Sequence, residues 1–226
     1  MSARSVIFDL DGTLADTSGD LIAAANHCFQ GMGLDVRLDP QTDQGIALRG
    51  GRRMLSAGLM RAHGAVDEDL LLRWYPELLA YYGDHIDAQT VLYPGAMDAV
   101  ARLTAQGDKV AICTNKPEGL AETLMTRLGV RDAFGALVGA DTLPVRKPDP
   151  APLFEAIKRI GGDPARAVLV GDSDTDRNTS RNAGIPSILV TFGPSGDDMA
   201  ALNPEALLDD YAAFDQVLGS LLPPRL

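Results

Sequence analysis

Five short apolar runs rich in β-branched residues recur along the chain, at 5–8, 109–113, 136–138, 167–170 and 187–190. Helical periodicity fills 96–106, 118–128 and 150–160, ahead of the second, third and fourth runs. Gly107, Gly129 and Gly161 follow these stretches, where a helix ends most cheaply on a residue free to turn left-handed. Asp149 before Pro150 reads as an N-cap followed by proline in the first helical position. Continuous apolar strands separated by helices cannot pair as hairpins. They need crossovers and bury both faces, so an α/β fold with a Rossmann-like parallel sheet is expected.

One stretch breaks this alternation. Between 18 and 93, Leu21, Ala24, Ala25 and Cys28 share one helical face and Leu71, Trp74, Leu78 and Tyr81 another, with no strand expected between them. The chain thus divides into a sheet core, 1–17 and 94–226, and an inserted helical domain, 18–93, with Pro94 and Gly95 punctuating the return. At 226 residues it exceeds the usual single-domain size, which agrees with such an insertion. Helical spacing assigns Trp74, Tyr75, Tyr81 and Tyr82 to packing rather than to a cleft. The tail "PEALLDDYAAFDQVLGSLLPPRL" reads as a closing amphipathic helix with a proline-rich end.

Charge narrows the range of functions. Lys and Arg total 20 against 31 Asp and Glu, and the net charge of −11 suits neither nucleic acid nor an anionic membrane surface. No uncharged apolar stretch approaches the roughly 18 residues of a membrane span. Cys28 and Cys113 are too few for a disulfide framework and too far apart for a metal motif, so they read as small packed hydrophobes in a reducing, cytoplasmic setting. One arginine before a strand-like run that leads into acids is not a signal peptide. His27, His63 and His85 lack ligand spacing and read as ordinary surface residues. The expected partner is a small molecule, bound by a monomer or a homodimer.

In parallel sheets ligands bind beyond the carboxyl ends of the strands. The segments at the strand ends or in the loop beyond read "DLDGT" at 9–13, "TNK" at 114–116, "RKPDP" at 146–150 and "GDSDTD" at 171–176. Any one of these could be an ordinary solvated turn. Together they supply carboxylates for a divalent cation, for which magnesium is the expected choice, and Thr114, Asn115 and Lys147 for an anion. Phosphoryl transfer needs a nucleophile, charge neutralisation and a proton donor. Asp9, at the tip of a strand, suits attack on phosphorus with formation of an aspartyl-phosphate. Asp11 points to the same side and can protonate the leaving oxygen if a neighbouring carboxylate helps it hold a proton. Gly12 permits a tight turn and Thr13 adds a hydroxyl.

These segments, in this order, resemble the four motifs of the haloacid dehalogenase-like hydrolases, and the resemblance covers nearly the whole chain. It implies that Asp9 is both nucleophile and magnesium ligand. Asp11 is then the acid/base that also offers its backbone carbonyl to the metal, and Asp172 completes the ligands. Thr13, Thr114 and Asn115 hold the phosphoryl group, Lys147 screens Asp9 and the phosphate, and Ser173 and Asp176 support them. The helical insertion is similar to the family's mobile cap. Dehalogenases of the family lack the second aspartate, which is present here as Asp11. Its phosphonate-cleaving members use a cap lysine, and no lysine lies between 18 and 93.

The layout looks most like phosphoglycolate phosphatase. Other phosphatases, acting on pyrophosphate or on sugar or nucleoside monophosphates, and a phosphoglucomutase-like transferase remain open, as does a phospho-acceptor signalling module of another class. In the insertion, "ALRGGRRM" puts Arg49 beside Gly50 and Gly51, where a guanidinium could grip a substrate carboxylate or simply face solvent. Asp16 and Thr17 read as caps of the next helix. The helix after the fourth motif, "DRNTSRNAGIPSI", departs from the alanine run expected by resemblance, so different packing is expected there.

Overall fold

The structure, a computed structural model, describes residues 3–194 and 196–223. Its first elements are β1 (Ser5–Phe8), β2 (Ala15–Asp16), α1 (Ser18–Gly31), α2 (Gln44–Ala47), α3 (Gly51–His63), α4 (Glu68–Asp84) and β3 (Val91–Leu92). Then come α5 (Ala96–Ala105), β4 (Lys109–Cys113), α6 (Glu118–Arg127), β5 (Ala136–Val138), α7 (Ala151–Arg159) and β6 (Ala167–Gly171). The chain ends with α8 (Asp174–Ala183), β7 (Ser187–Val190), β8 (Ala206–Leu208) and α9 (Phe214–Leu221). The chain forms two compact units, 1–15 with 92–226, and 16–91.

In the first unit six strands pair in the order β5-β4-β1-β6-β7-β8, and every pairing is parallel. The β-branched runs are buried on both faces, as a sheet flanked by helices requires. On one face Ile7, Cys113, Val138 and Leu169 pack with Leu153, Ala156 and Ile157 of α7. Alternate residues point the other way. Phe8 there meets Phe134 edge-on at 6.4 Å and Phe214 of α9 at 5.7 Å. Cys113 is fully buried in this core and Cys28 in the second unit, both as free thiols.

The tail departs from the single helix expected for it. Ala206–Leu208 forms a sixth strand of the sheet, and among the described residues of the tail only Phe214–Leu221 is α-helical, while most of the expected proline-rich end, 224–226, lies outside the described residues. This strand has no β-branched residue. It forms because β7 offers an open edge, to which Glu205 is tied by accepting a 2.7 Å bond from Ser187 N. Short strands β2 and β3 also went unexpected, and they pair as a two-stranded sheet where the chain leaves and rejoins the first unit. Helix α7 starts at Ala151, one residue past Pro150, because the Asp149 carboxylate reaches Ala151 N at 2.9 Å.

In the second unit α1 packs on α3 and α4. Gly58 leaves room for the Phe29 ring, and Gly31 for Trp74. Tyr82 is buried. Tyr81 lies stacked between His27 and His85, with ring centroids 4.1 and 4.2 Å away. Asp16, rather than Thr17, supplies the acceptor at the start of α1, taking bonds from Ser18 N and Oγ. Buried Asp20 accepts from Gln89 N, Thr90 N and Thr90 Oγ1, fixing the segment where the unit ends.

Candidate active site

Parallel register collects the polar residues at one edge of the sheet. Phe8 lies opposite Ile112 on one side and Val170 on the other. Asp9, one residue beyond Phe8, and Thr114 and Asp172, two residues beyond Ile112 and Val170, therefore emerge from the ends of three adjacent strands. Asp9 N still bonds Val170 O at 2.8 Å, and Thr114 N bonds Val138 O at 2.9 Å, so both residues are held by the ladder itself.

Lys147 arrives from the β5–α7 loop, and its side chain is 1% exposed. Its Nζ lies 3.0 Å from Asp9 Oδ2 and 2.6 Å from Asp176 Oδ1. The other Asp176 oxygen accepts from Ser173 Oγ at 2.5 Å and from Asp172 N at 3.3 Å, so this carboxylate is fixed from both ends. Gly171 makes room for it, since any Cβ there would strike the Asp176 side chain. Thr13, fully buried, gives its hydroxyl to Asp172 Oδ1 at 2.9 Å, and its carbonyl accepts from the Tyr211 hydroxyl at 2.9 Å. Gly12 takes φ of +80° and bonds Ala15 O, closing the tight turn between Asp11 and Thr13.

The electrostatics are those of an acid cluster short of positive charge. Burial pushes the Asp9 carboxyl up to about 7, with Lys147 pulling the other way. Burial, and then the charges of Asp176 and Asp9, raise Asp172 well above the usual carboxylate range. Burial alone would favour a neutral Lys147 amine, yet Asp176 and Asp9 outweigh it and hold the ammonium. Asp9, Asp172 and Asp176 each offer an oxygen, all within 4.8 Å of one another. Hard oxygen donors that burial and like charge push toward protonation fit a divalent cation, which relieves both strains at once.

A second ammonium stands beside this cluster. Lys116, in the "TNK" segment, places Nζ 2.6 Å from Asp11 Oδ1, with its side chain 3% exposed. The motif reading gave this lysine no role. The available signal was its place three residues past the end of β4. Thr114 Oγ1 accepts from Lys116 N at 3.2 Å, and Asn115 Nδ2 donates to Lys147 O at 3.0 Å, tying the loop that carries Lys147 to the β4 end. Asp174 is exposed at the start of α8. Arg49 and Gly50 belong to the second unit. Arg49 is exposed, and Gly50 adopts φ of +93° as the N-cap of α3.

Known proteins match this chain along almost its whole length. A family model described as "Haloacid dehalogenase-like hydrolase" matches residues 6–190. A phosphoglycolate phosphatase of Mesorhizobium japonicum is 37% identical over 225 residues, covering 98% of this chain and 97% of its own. One from Agrobacterium fabrum is 36% identical over 213 residues, covering 94% and 91%. The crystal structure of a predicted phosphoglycolate phosphatase from Haemophilus somnus superposes with a TM-score of 0.84 at 26% identity, covering 96% of this chain and 98% of that one. Four ordered strand-end motifs on a parallel sheet, and a family model spanning them, lead to one assignment: the chain belongs to the haloacid dehalogenase-like hydrolase family.

Proposed function

We propose that this protein is a magnesium-dependent phosphomonoester hydrolase working through an aspartyl-phosphate on Asp9, with 2-phosphoglycolate as its substrate. The observation that carries the reading is Asp9 at the tip of β1, 3.0 Å from Lys147 Nζ and within the acid cluster of Asp172 and Asp176. The substrate is suggested by the relatives named phosphoglycolate phosphatase, at 36 and 37% identity over most of the chain.

Ionised Asp9 attacks phosphorus in line and forms the acyl phosphate. Asp11 gives a proton to the departing alcohol oxygen, then takes one from the water that attacks the phosphoryl group. Phosphate leaves, and Asp9 returns as a carboxylate. Lys147 offsets the charge of Asp9 and of the phosphoryl oxygens, while Asp176 and Ser173 hold the lysine in place. Thr114 and Asn115 bind the phosphoryl group, and Thr13 orients Asp172. Asp9, Asp172 and the Asp11 carbonyl would hold magnesium, which supplies further neutralisation of phosphoryl charge when bound.

In this reading the helical domain, 18–93, is a cap that selects substrate, and Arg49 beside Gly50 grips the substrate carboxylate. The enzyme works in the cytoplasm as a monomer or homodimer. Among the described residues no helix is long and apolar enough to cross a membrane. A panel of phosphate esters assayed with magnesium tests the reading. The highest specificity constant is expected for 2-phosphoglycolate, and Arg49→Ala should lower it on that ester while sparing uncharged ones. Preference for pyrophosphate, a sugar phosphate or a nucleoside phosphate would replace the substrate. A long-lived phosphorylated protein without phosphate release would favour a phospho-acceptor module instead.

A further inference from the structure

The tail carries a polar group that reaches the acid cluster. Tyr211, at the head of the short turn Tyr211–Ala213 between β8 and α9, is 1% exposed. Its ring lies against Phe192 and Phe214, with centroids 5.4 and 6.0 Å away, and Arg102 Nη2 donates to its carbonyl at 3.2 Å. So seated, the phenol donates to Thr13 O at 2.9 Å, across 198 positions of the sequence. Burial, and then the charge of Asp172, raise this phenol above its ordinary range and keep it a donor. The peptide that follows Thr13 is thereby held from both sides, since Leu14 N donates to Leu10 O at 2.9 Å. Thr13 needs that anchor. It follows the left-handed Gly12, at φ of +80°, and its own N–H reaches Leu10 O only at 3.3 Å. From this fixed backbone Thr13 Oγ1 donates to Asp172 Oδ1 at 2.9 Å.

We infer that Tyr211 is a positioning residue for the metal site, acting through the Thr13 backbone to aim the Asp172 carboxylate. This rests on the reading of Asp172 as a magnesium ligand. A carboxylate tethered at one oxygen has the direction of its other oxygen set, and magnesium tolerates little departure from octahedral geometry. Partners one step behind a ligand are worth about tenfold or more in metal affinity. Tyr211 stands two hydrogen bonds behind Asp172, so a smaller share falls to it. A buried phenol could meet its need with any carbonyl. This one is spent on the residue whose side chain tethers Asp172, which gives the tail a task that the phosphoryl-transfer scheme leaves unassigned.

The test reads magnesium affinity from the rise in melting temperature with added magnesium, alongside the magnesium requirement of phosphate release. It compares wild type, Tyr211→Phe, Thr13→Val, Thr13→Ser and the double variant Tyr211→Phe/Thr13→Val. The Phe variant keeps the ring against Phe192 and Phe214, and Tyr211→Leu takes its place if it fails to melt cooperatively. Tyr211→Phe should raise the magnesium dissociation constant about threefold or more, and Thr13→Val about tenfold or more. Thr13→Ser, which keeps the hydroxyl, should recover most of the affinity that the Val variant loses. Activity lost by the Phe variant at limiting magnesium should return as magnesium is raised. The double variant should bind magnesium no more weakly than Thr13→Val alone, because the phenol acts through that hydroxyl. A lower melting temperature with magnesium affinity changed by less than about threefold would overturn the inference and leave Tyr211 as packing alone. Additive losses of affinity in the double variant would overturn it too. Wild type that gains no stability from magnesium overturns the reading of Asp172 as a ligand, and this inference with it.

Discussion

Asp9 carries its charge at a cost that shows in its acidity, moved from the ordinary 3.8 to about 7 by burial. Between those values, in metal-free protein, the folded state keeps a proton that the unfolded chain has released. Stability from this group is therefore present at low pH and lost as pH rises toward 7. Asp172 is shifted in the same direction. Melting in EDTA should accordingly fall between about pH 5 and pH 7.5, and the gain on adding magnesium should be larger at pH 7.5. A melting temperature in EDTA that climbs over that range would contradict the assignment. The presence of Asp9, Asp11, Lys147 and Asp172 at strand ends or in the loop beyond was legible from spacing alone. What no spacing could tell is where each side chain turns. Thr13 gives its hydroxyl to Asp172, and Lys116, passed over in "TNK", turns to Asp11.

At the scale of elements, strands β1, β4, β5, β6 and β7 were legible because each is an apolar run carrying β-branched residues with helical stretches or turns at its ends. The edge strand Ala206–Leu208 was not, since its sequence fits a helix equally well and only the neighbouring β7 decides. The polar helix α8 flagged a departure that the structure explains. Arg177 is buried, with bonds from Nη1 to Ser187 Oγ at 3.1 Å and Glu205 Oε2 at 2.7 Å, and from Nη2 to Asn203 O at 2.6 Å. It clamps the helix that follows Asp172 to the new edge of the sheet, a task that alanines cannot perform. Arg177→Met leaves Glu205, the Ser187 hydroxyl and the carbonyls of Asn203 and Leu202 without this donor and is expected to cost about 3 kcal/mol or more in urea unfolding. In the helical unit Asp20→Ala strips the acceptor from Gln89 N and Thr90 N. A loss of about 3 kcal/mol is expected there, measured by the same method. A change under about 0.5 kcal/mol in either would show that water replaces the bonds without penalty.

The whole molecule places a rigid parallel sheet beneath a constellation gathered from residues far apart in sequence, with Asp9 and Asp176 separated by most of the chain. Its net charge of −11 makes the local pairing of Lys147 and Lys116 with these acids the more necessary, because the rest of the protein repels an anionic substrate. The insertion was legible as a break in strand–helix alternation, and the chain divides into compact units at 15/16 and 91/92. Substrate choice was less legible, because sequence order does not encode where side chains such as Lys116 turn. The central claim, that Asp9 is the group phosphorylated and discharged in each turnover, is tested most directly by phosphate release from 2-phosphoglycolate in the presence of magnesium. Wild type should release phosphate continuously, and Asp9→Asn, folded by its melting profile, should fall on the order of 10⁴-fold or more. Turnover that survives Asp9→Asn would contradict the account.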